Sequence, residues 1–297
     1  MKARRLLAQV ASLFFLLLCA EILQALDAGI SPPVPKLLNG HPKLIPPQPR
    51  DGEGSASAIV PILIYHSIRP YAESDSAAVR RYVVTPEQFE QELAYFKANG
   101  YTSISFDELA DHLEGTALLP PKPILLSFDD DWASQYSYAL PLLEKYGFTG
   151  TFYIWVSAVG KKNHMTWEEI QDLVKAGMQI GCHSMSHPYL TRIQSDDELQ
   201  REVLGAKQLI EARTGVRVTS FAYPFGQYDE RVVAAVKAAG FTSARSTWPG
   251  VAHTKEGLFS LTGLIRTESE PALVGSLTYY LAHARPTSTA GATRLPS

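Results

Sequence analysis

The feature that most restricts the fold of this chain is a joint between helix and strand that recurs five times. In each joint a helical pattern ends at a glycine, and an apolar strand pattern begins at the next residue. Glycine is favoured there because the left-handed conformation that closes a helix costs it little. The joints lie at Gly100, Gly147, Gly177, Gly215 and Gly240. This alternation predicts an α/β protein with a parallel sheet, in which each strand follows a crossover helix.

Two arrangements satisfy this alternation. Seven or eight units can close into a barrel, and an open, doubly wound sheet is the alternative. No Gly-x-Gly-x-x-Gly follows the first predicted strand, which argues against a dinucleotide-binding fold. Helix starts are predicted by capping patterns at Thr85, Ser105, Thr166 and Ser195. The predicted strands span 59–65, 101–105, 124–128, 148–156, 178–182, 216–223 and 241–246, and a last helix is expected over 271–284.

The N-terminal part of the chain predicts export rather than a folded domain. Lys2, Arg4 and Arg5 precede an apolar run from Leu6 to Ala20, the order of an export signal that is either cleaved or kept as an anchor. The proline-rich stretch that follows predicts an extended linker. We therefore expect an export signal or anchor over 1–27, a linker over 28–57, one folded domain over 58–270, and a C-terminal helix and tail over 271–297. The expected location is the periplasm or the cell surface, with possible membrane association through the N-terminal segment.

Charge and cysteine content exclude some classes of partner and scaffold. The 297 residues carry a formal net charge of -3. With no long basic run, nucleic acid is not the expected partner. Cys19 and Cys182 are the only cysteines and lie far apart, so the sequence predicts no disulfide framework. The oligomeric state is left open by these features.

Unusual polar residues follow four of the predicted strands. His66 ends the first strand, Asp129, Asp130 and Asp131 end the third, and His183 with His187 follows the fifth. A Tyr-Pro-Phe-Gly turn over 223–226 follows the sixth. In parallel α/β folds the functional groups gather at the carboxyl ends of the strands. These residues are therefore the candidates for a site.

Three adjacent carboxylates and two histidines favour a cation. The carboxylates repel one another unless something positive lies among them, and a divalent metal ion removes that repulsion. The spacing of His183 and His187 predicts two imidazoles on one face of a helical turn. Two histidines and one carboxylate leave coordination positions open for water and substrate, as in a catalytic site. The alternative interpretation is an acidic loop that caps the next helix.

The motifs together resemble those of the polysaccharide deacetylases, carbohydrate esterase family 4. The resemblance rests on Ser-Phe-Asp-Asp over 127–130, on His183-Ser-x-x-His187, and on Phe-Ala-Tyr-Pro-Phe-Gly over 221–226. Tyr-His-Ser-Ile over 65–68 resembles the exported branch that deacetylates poly-N-acetylglucosamine. The resemblance implies a distorted (β/α)7 barrel and a metal-dependent hydrolase that removes N-acetyl groups from a polysaccharide.

The resemblance also implies a role for each matching residue. Asp129 matches the catalytic base, and Asp130, His183 and His187 match the ligands of a divalent metal, for which we expect Zn²⁺. The turn at Pro224 and Phe225 matches the place where a backbone N–H holds the oxyanion. We expect the polysaccharide to contact Tyr223, Pro224, Phe225 and Trp167, with Trp155 either a second sugar-stacking wall or a core residue.

Three positions depart from the family pattern. Asp131 stands where the family usually has Gly, and it either raises the pKa of the base, pairs with a cation, or caps the next helix. Ala222 stands where many members have Arg, so the base lacks its usual partner. The late strand around Leu264 has no His to act as general acid.

His66 is our candidate for that acid, because barrel closure makes the first and last strands neighbours. The alternative is that His66 only caps or hydrogen-bonds locally. His164 and His253 are expected in loops, where contact with the substrate is the less favoured of the alternatives. Two other functions compete: a glycan-binding barrel that has lost catalysis, and an amidase on a non-sugar substrate.

Overall fold

The computed structural model describes residues 57–266 and 270–284, and the expected export signal and nearly all of the expected linker lie outside these ranges. Within them, the strands are β1 (Ser57–Ile59), β2 (Ile62–Tyr65), β3 (Ser67–Ile68), β4 (Val83–Val84), β5 (Thr102–Ser103), β6 (Pro123–Asp129), β7 (Thr151–Ile154), β8 (Gln179–Cys182), β9 (Ser220–Ala222), β10 (Ser243–Arg245), β11 (Ala252–Thr254) and β12 (Leu264–Ile265).

The α-helices surround the main sheet. They are α1 (Ala77–Arg80), α2 (Pro86–Ala98), α3 (Phe106–Glu114), α4 (Leu140–Tyr146), α5 (Trp167–Lys175), α6 (Asp196–Gln200), α7 (Ala206–Thr214), α8 (Glu230–Ala238) and α9 (Glu270–His283). A π-helical turn, Gln135–Ala139, leads into α4, and a second one, Arg201–Gly205, joins α6 to α7. No helix in the described ranges is both long and apolar enough to cross a membrane.

Seven parallel strands form the distorted (β/α)7 barrel that the resemblance implied. Their order is β10-β9-β8-β7-β6-β2-β12, and β5 pairs with the start of β6. Leu264 and Ile265 of β12 lie beside Leu63 and Ile64 of β2, so the late strand is the neighbour of the first strand, as predicted. A parallel bridge between Arg245 and Leu261 brings the chain before β12 back to β10. The two edges of the sheet are therefore connected through this bridge, which closes the barrel.

The strands present alternate residues to two separate cores. In β6, Ile124, Leu126 and Phe128 pack in the larger core with the surrounding helices, whereas Leu125 belongs to a smaller core that contains Ile62 and Ile64 of β2. This alternation follows from the two-residue period of a strand. It sends Ser127 and Asp129 to the same face as Leu125, which is the inside of the barrel.

The predicted joints and caps are confirmed. All five glycines have a positive φ, between 72° and 80°. Thr85, Ser105 and Thr166 each form a capping box, and the Ser195 hydroxyl accepts the Glu198 amide. The strands are shorter than predicted, since 216–223 contains only β9. The β1–β11 and β3–β4 pairs were not predicted, because two or three residues carry no periodic signal.

Candidate active site

The predicted site residues converge at the carboxyl ends of neighbouring strands. Asp129 is the last residue of β6, and Asp130 follows it with a φ of 70°. His183 directly follows β8, two strands away across β7. These positions explain why residues separated by 50 positions in the sequence share one site: parallel strands end at the same edge.

Three side chains have a geometry that fits a small divalent cation. The Nε2 atoms of His183 and His187 are 3.2 Å apart, and each lies 3.4 Å from Asp130 Oδ1. An ion held tetrahedrally at about 2.0–2.1 Å has ligand atoms about 3.3–3.4 Å apart. The triangle therefore matches three corners of such a site, and these were the three predicted ligands.

The hydrogen bonds around the triangle prepare its atoms for coordination. His183 Nδ1 lies 2.8 Å from the carbonyl oxygen of Ala222, so Nδ1 carries the hydrogen and Nε2 presents its lone pair. Although burial favours the neutral acid, His183 and the nearby His66 and His187 hold the pKa of Asp130 well below its usual value. Burial and the adjacent His183 lower the pKa of His187 to about 4. At neutral pH, Asp130 is therefore a carboxylate anion, and His187 is a neutral imidazole that can coordinate a metal ion.

The local backbone between the two histidines is not the helical turn that their spacing predicted. Ser184 and His187 have φ values of 68° and 58°, so the segment is an irregular loop. Its shape is set by side chains: Ser184 Oγ accepts the His187 amide, and Glu202 accepts the amide and the hydroxyl of Ser186. These contacts come from within the loop and from another helix, which a spacing argument does not include.

Asp129 has the partner that the sequence did not reveal. Its Oδ1 accepts a hydrogen bond from Arg245 Nη2, and both side chains are buried inside the barrel. Arg245 on β10 is the register partner of Ala222 on β9. The guanidinium therefore comes from the neighbouring strand, at the level where many family members have Arg. The expectation that the base lacks its partner is wrong, because the sequence does not display strand register.

His66 lies close to the same cluster. It is one of the neighbours that act electrostatically on Asp130 and His187, after burial and His183. Gln135 Nε2 donates to the carbonyl oxygens of both His66 and Asp129, at 2.7 and 2.6 Å. Gln135 thus connects the end of β2 to the end of β6 through two hydrogen bonds. It was missed because a lone glutamine after the acidic motif carries no recognisable signal.

Asp131 is fully buried and does not cap the following helix. Its Oδ1 accepts the Trp155 amide at 2.9 Å, and its Oδ2 lies 3.3 Å from Nδ1 of His164. Burial raises the pKa of Asp131 to about 6, against the opposing influence of His164 and the Trp155 amide. Of the three predicted roles, capping of the next helix is therefore wrong, because the two carboxylate oxygens face Trp155 and His164 instead.

The Tyr-Pro-Phe-Gly turn divides into buried and exposed parts. Tyr223 is buried, and its hydroxyl donates to the carbonyl oxygen of Phe259, so its ring is a core element rather than a sugar platform. Pro224 is also buried. Phe225 is 46% exposed, has a φ of 58°, and packs its ring against His187 at 4.6 Å. The Gly226 amide bonds to the Tyr223 carbonyl, which leaves the Phe225 amide as the donor that the turn can offer.

The remaining candidates fall in different places. Trp155 lies at the site, with its ring 5.0 Å from that of His187. Trp167 begins α5 and lies under the guanidinium of Arg213 on α7, so its described contacts are away from the metal ligands and its role stays a prediction. His253 lies buried on β11, bonded to the carbonyl oxygen of Val60, and not in a substrate loop. Cys182 is a buried free cysteine, as expected.

Comparison with known proteins supports the resemblance to polysaccharide deacetylases that the motifs indicated. Residues 118–244 match the family model described as polysaccharide deacetylase. YxkH of Bacillus subtilis, a polysaccharide deacetylase by name, is 28% identical over 275 residues, which cover 89% of this chain and 94% of the relative. A poly-β-1,6-N-acetyl-D-glucosamine N-deacetylase of Staphylococcus aureus is 22% identical over 199 residues, covering 60% of this chain and 68% of the relative.

A solved structure shares the fold. The polysaccharide deacetylase BC0361 from Bacillus cereus superimposes with a TM-score of 0.66 and 27% identity, over 74% of this chain and 69% of that chain. The family model, the relatives and the shared barrel agree with the motifs at the strand ends. On this evidence the chain contains a polysaccharide deacetylase domain, which the family model matches over residues 118–244.

Proposed function

We propose that this chain is a metal-dependent hydrolase that removes N-acetyl groups from an N-acetylglucosamine-containing polysaccharide. The observation that carries the proposal is the triangle of Asp130, His183 and His187, with Asp129 beside it and fixed by Arg245. The donor set of two imidazoles and one carboxylate suits Zn²⁺ and leaves room for water and substrate. When bound, Zn²⁺ would polarise the acetyl carbonyl and lower the pKa of a water molecule.

The residues of the chain supply the proton transfers. Arg245 contacts Oδ1 of Asp129, which leaves Oδ2 to take the proton of the attacking water. The Phe225 amide donates to the acetyl oxygen as negative charge develops on it. His66 gives a proton to the departing amine nitrogen, which is a poor leaving group without one.

The choice of substrate and location follows from the motifs and the relatives. The Staphylococcus aureus relative is named for poly-β-1,6-N-acetyl-D-glucosamine, and the Tyr-His-Ser-Ile motif resembles the same branch. The exposed Phe225 ring and the half-buried Trp155 ring both contact His187, and each offers an apolar surface to a pyranose. The basic and apolar N-terminus supports export to the periplasm or cell surface.

The presence of Arg245 weakens the competing function of a non-catalytic glycan-binding barrel. That alternative was favoured by the absence of an arginine partner for the base. With Arg245 in place, the proposed base has a partner beside the three proposed ligands, although the late histidine of the family pattern is missing from β12.

The proposal is tested by acetate release from oligomers of β-1,6- and β-1,4-linked N-acetylglucosamine and from peptidoglycan. We expect the zinc-loaded protein to release acetate, chelation to abolish release, and Zn²⁺ to restore it. Asp129→Asn should bind zinc but lose at least about 10²-fold in rate, because an amide cannot accept the proton of the water. Replacing both His183 and His187 with Ala should remove the metal.

A protein that binds zinc at this site but releases no acetate from any of these glycans would support the glycan-binding alternative. Release from a simple N-acetyl amide but not from glycans would support the non-sugar amidase. Full zinc occupancy in the double histidine variant would contradict the assigned site.

A further inference from the structure

The turn that carries the ligand Asp130 contains two consecutive non-glycine residues in the left-handed region. Asp130 has a φ of 70° and Asp131 a φ of 42°. Each such residue costs about 1–2 kcal/mol relative to ordinary conformations. Asp131 is also completely buried. A glycine in place of Asp131 would remove the strain at that residue and the buried carboxylate. Contacts of the Asp131 side chain must therefore compensate for both costs.

Those contacts form a compact set around the turn. Asp131 Oδ1 accepts the Trp155 amide at 2.9 Å, and its main-chain oxygen accepts the Met165 amide at 2.8 Å. His164 Nδ1 lies 3.0 Å from the main-chain oxygen of Asp130 and 3.3 Å from Asp131 Oδ2. Both neighbours of this nitrogen are acceptors, so Nδ1 carries a hydrogen and donates to the backbone of the metal ligand.

The imidazole of His164 is itself held on two sides. Its ring stacks on Trp132 with centroids 4.6 Å apart, and the edge of Trp155 approaches at 5.7 Å. Trp155 in turn lies 5.0 Å from the ring of His187. His164 is therefore packed between Trp132 and Trp155, the second of which contacts the ligand His187, and these contacts restrict the orientation of its ring.

We propose that Asp131 and His164 are positioning residues that together hold the Asp130 turn in its left-handed conformation, so that Oδ1 of Asp130 points at the two histidines. Asp131 fixes the turn to β7 through Trp155, and His164 fixes the carbonyl of Asp130 itself. Neither belongs to the ligand triangle, so both act through Asp130. This inference rests on the metal site of the proposed function, and it concerns metal affinity rather than the reaction.

The experiment measures the zinc dissociation constant of the full chain by competition with a chromogenic chelator. We expect His164→Ala to weaken zinc binding by about 10–100-fold, as is typical when a residue that orients a ligand is removed. His164→Asn should restore most of the affinity, because its amide nitrogen can replace Nδ1 as donor. Asp131→Gly should weaken binding although it relieves the strain, and Asp131→Asn should retain more affinity, because Asn tolerates a positive φ and keeps an acceptor for Trp155.

His112→Ala is the matched control, since His112 Nδ1 also bonds a main-chain oxygen, at 3.1 Å, but on α3 outside the described site. It should leave the zinc dissociation constant unchanged even if the melting temperature falls. Wild-type affinity in both His164→Ala and Asp131→Gly, with zinc still bound by Asp130, would overturn the inference alone. A wild-type protein that binds no zinc would overturn the metal site of the proposed function and this inference with it.

Discussion

At the scale of single residues, the pair of Arg245 and Ala222 shows how one guanidinium position can be filled from either of two strands. The two residues face each other across β9 and β10, and Ala222 leaves room for the larger side chain. Arg245 and Asp129 are both buried, so neither charge has water as an alternative partner. Removal of one leaves the other unpaired, which typically costs 3–5 kcal/mol.

We predict that Arg245→Ala lowers the free energy of unfolding by about 3–5 kcal/mol and reduces deacetylation at least about tenfold. Moving the arginine back, in Ala222→Arg combined with Arg245→Ala, should recover part of both losses because the guanidinium returns to the same level of the barrel. Urea unfolding and initial rates measure the two effects. A double variant no more stable or active than Arg245→Ala would show that an arginine on β9 cannot replace the one on β10.

The second prediction at this scale concerns His66, for which the predicted neighbourhood of β2 and β12 is confirmed while the catalytic role stays a prediction. His66→Ala should lower turnover by about 10²-fold, the usual contribution of a general acid, with zinc content unchanged. Turnover and metal content are measured on the same preparation, with His112→Ala as a control. Wild-type turnover would assign the proton to another group.

At the scale of secondary structure, both π-helical turns place a side chain against the site. Gln135 begins the first turn and bonds the carbonyls of His66 and Asp129. Glu202 lies in the second turn and accepts two hydrogen bonds from Ser186, between the two histidine ligands. A π-turn inserts an extra residue and so redirects a side chain, which agrees with its frequent presence at functional sites.

We predict that Glu202→Ala weakens zinc binding by about 10–100-fold, because the loop that orients His187 loses both contacts of Ser186. The exposed Glu198, one turn earlier on α6, provides the control, since Glu198→Ala should not change zinc affinity. Chelator competition measures both variants. Equal affinities would show that Ser184 alone is sufficient to shape the loop.

At the scale of the whole molecule, a buried histidine links stability to pH. His253 of β11 bonds the carbonyl of Val60, and burial lowers its pKa to about 4 despite that bond. Its ordinary value in an unfolded chain is about 6.5. Between these values the unfolded state binds the proton and the folded state does not, so stability present above about pH 6.5 is lost as the pH falls towards 4.

We therefore expect His253→Gln, which keeps a neutral donor for Val60, to lose less stability between pH 7 and pH 4.5 than the wild type does. The difference should be on the order of 1–3 kcal/mol, and urea unfolding of the chelator-treated protein at the two pH values measures it. An identical pH dependence in both proteins would assign the acid sensitivity to other groups.

The sequence by itself determined the helix–strand alternation, the glycine joints, the capped helix starts and the position of acids and histidines at the strand ends. These depend on local rules: hydrophobic period, backbone freedom at glycine, and the chemistry of acids and histidines at strand ends. The resemblance to the family added the barrel, the expected role of Asp129 and the three expected metal ligands, whereas the role of His66 was inferred from the expected closure of the barrel. Each of these signals is contained in a short stretch of chain.

Only the tertiary structure decided what depends on contacts between distant segments. The register of β9 and β10 placed Arg245 against Asp129, and packing buried Tyr223 while it left Phe225 exposed. Three roles were open for Asp131, and tertiary packing placed its carboxylate against the Trp155 amide and the His164 ring. Strand register and loop packing are set by the summed burial of many residues, so no local pattern records them.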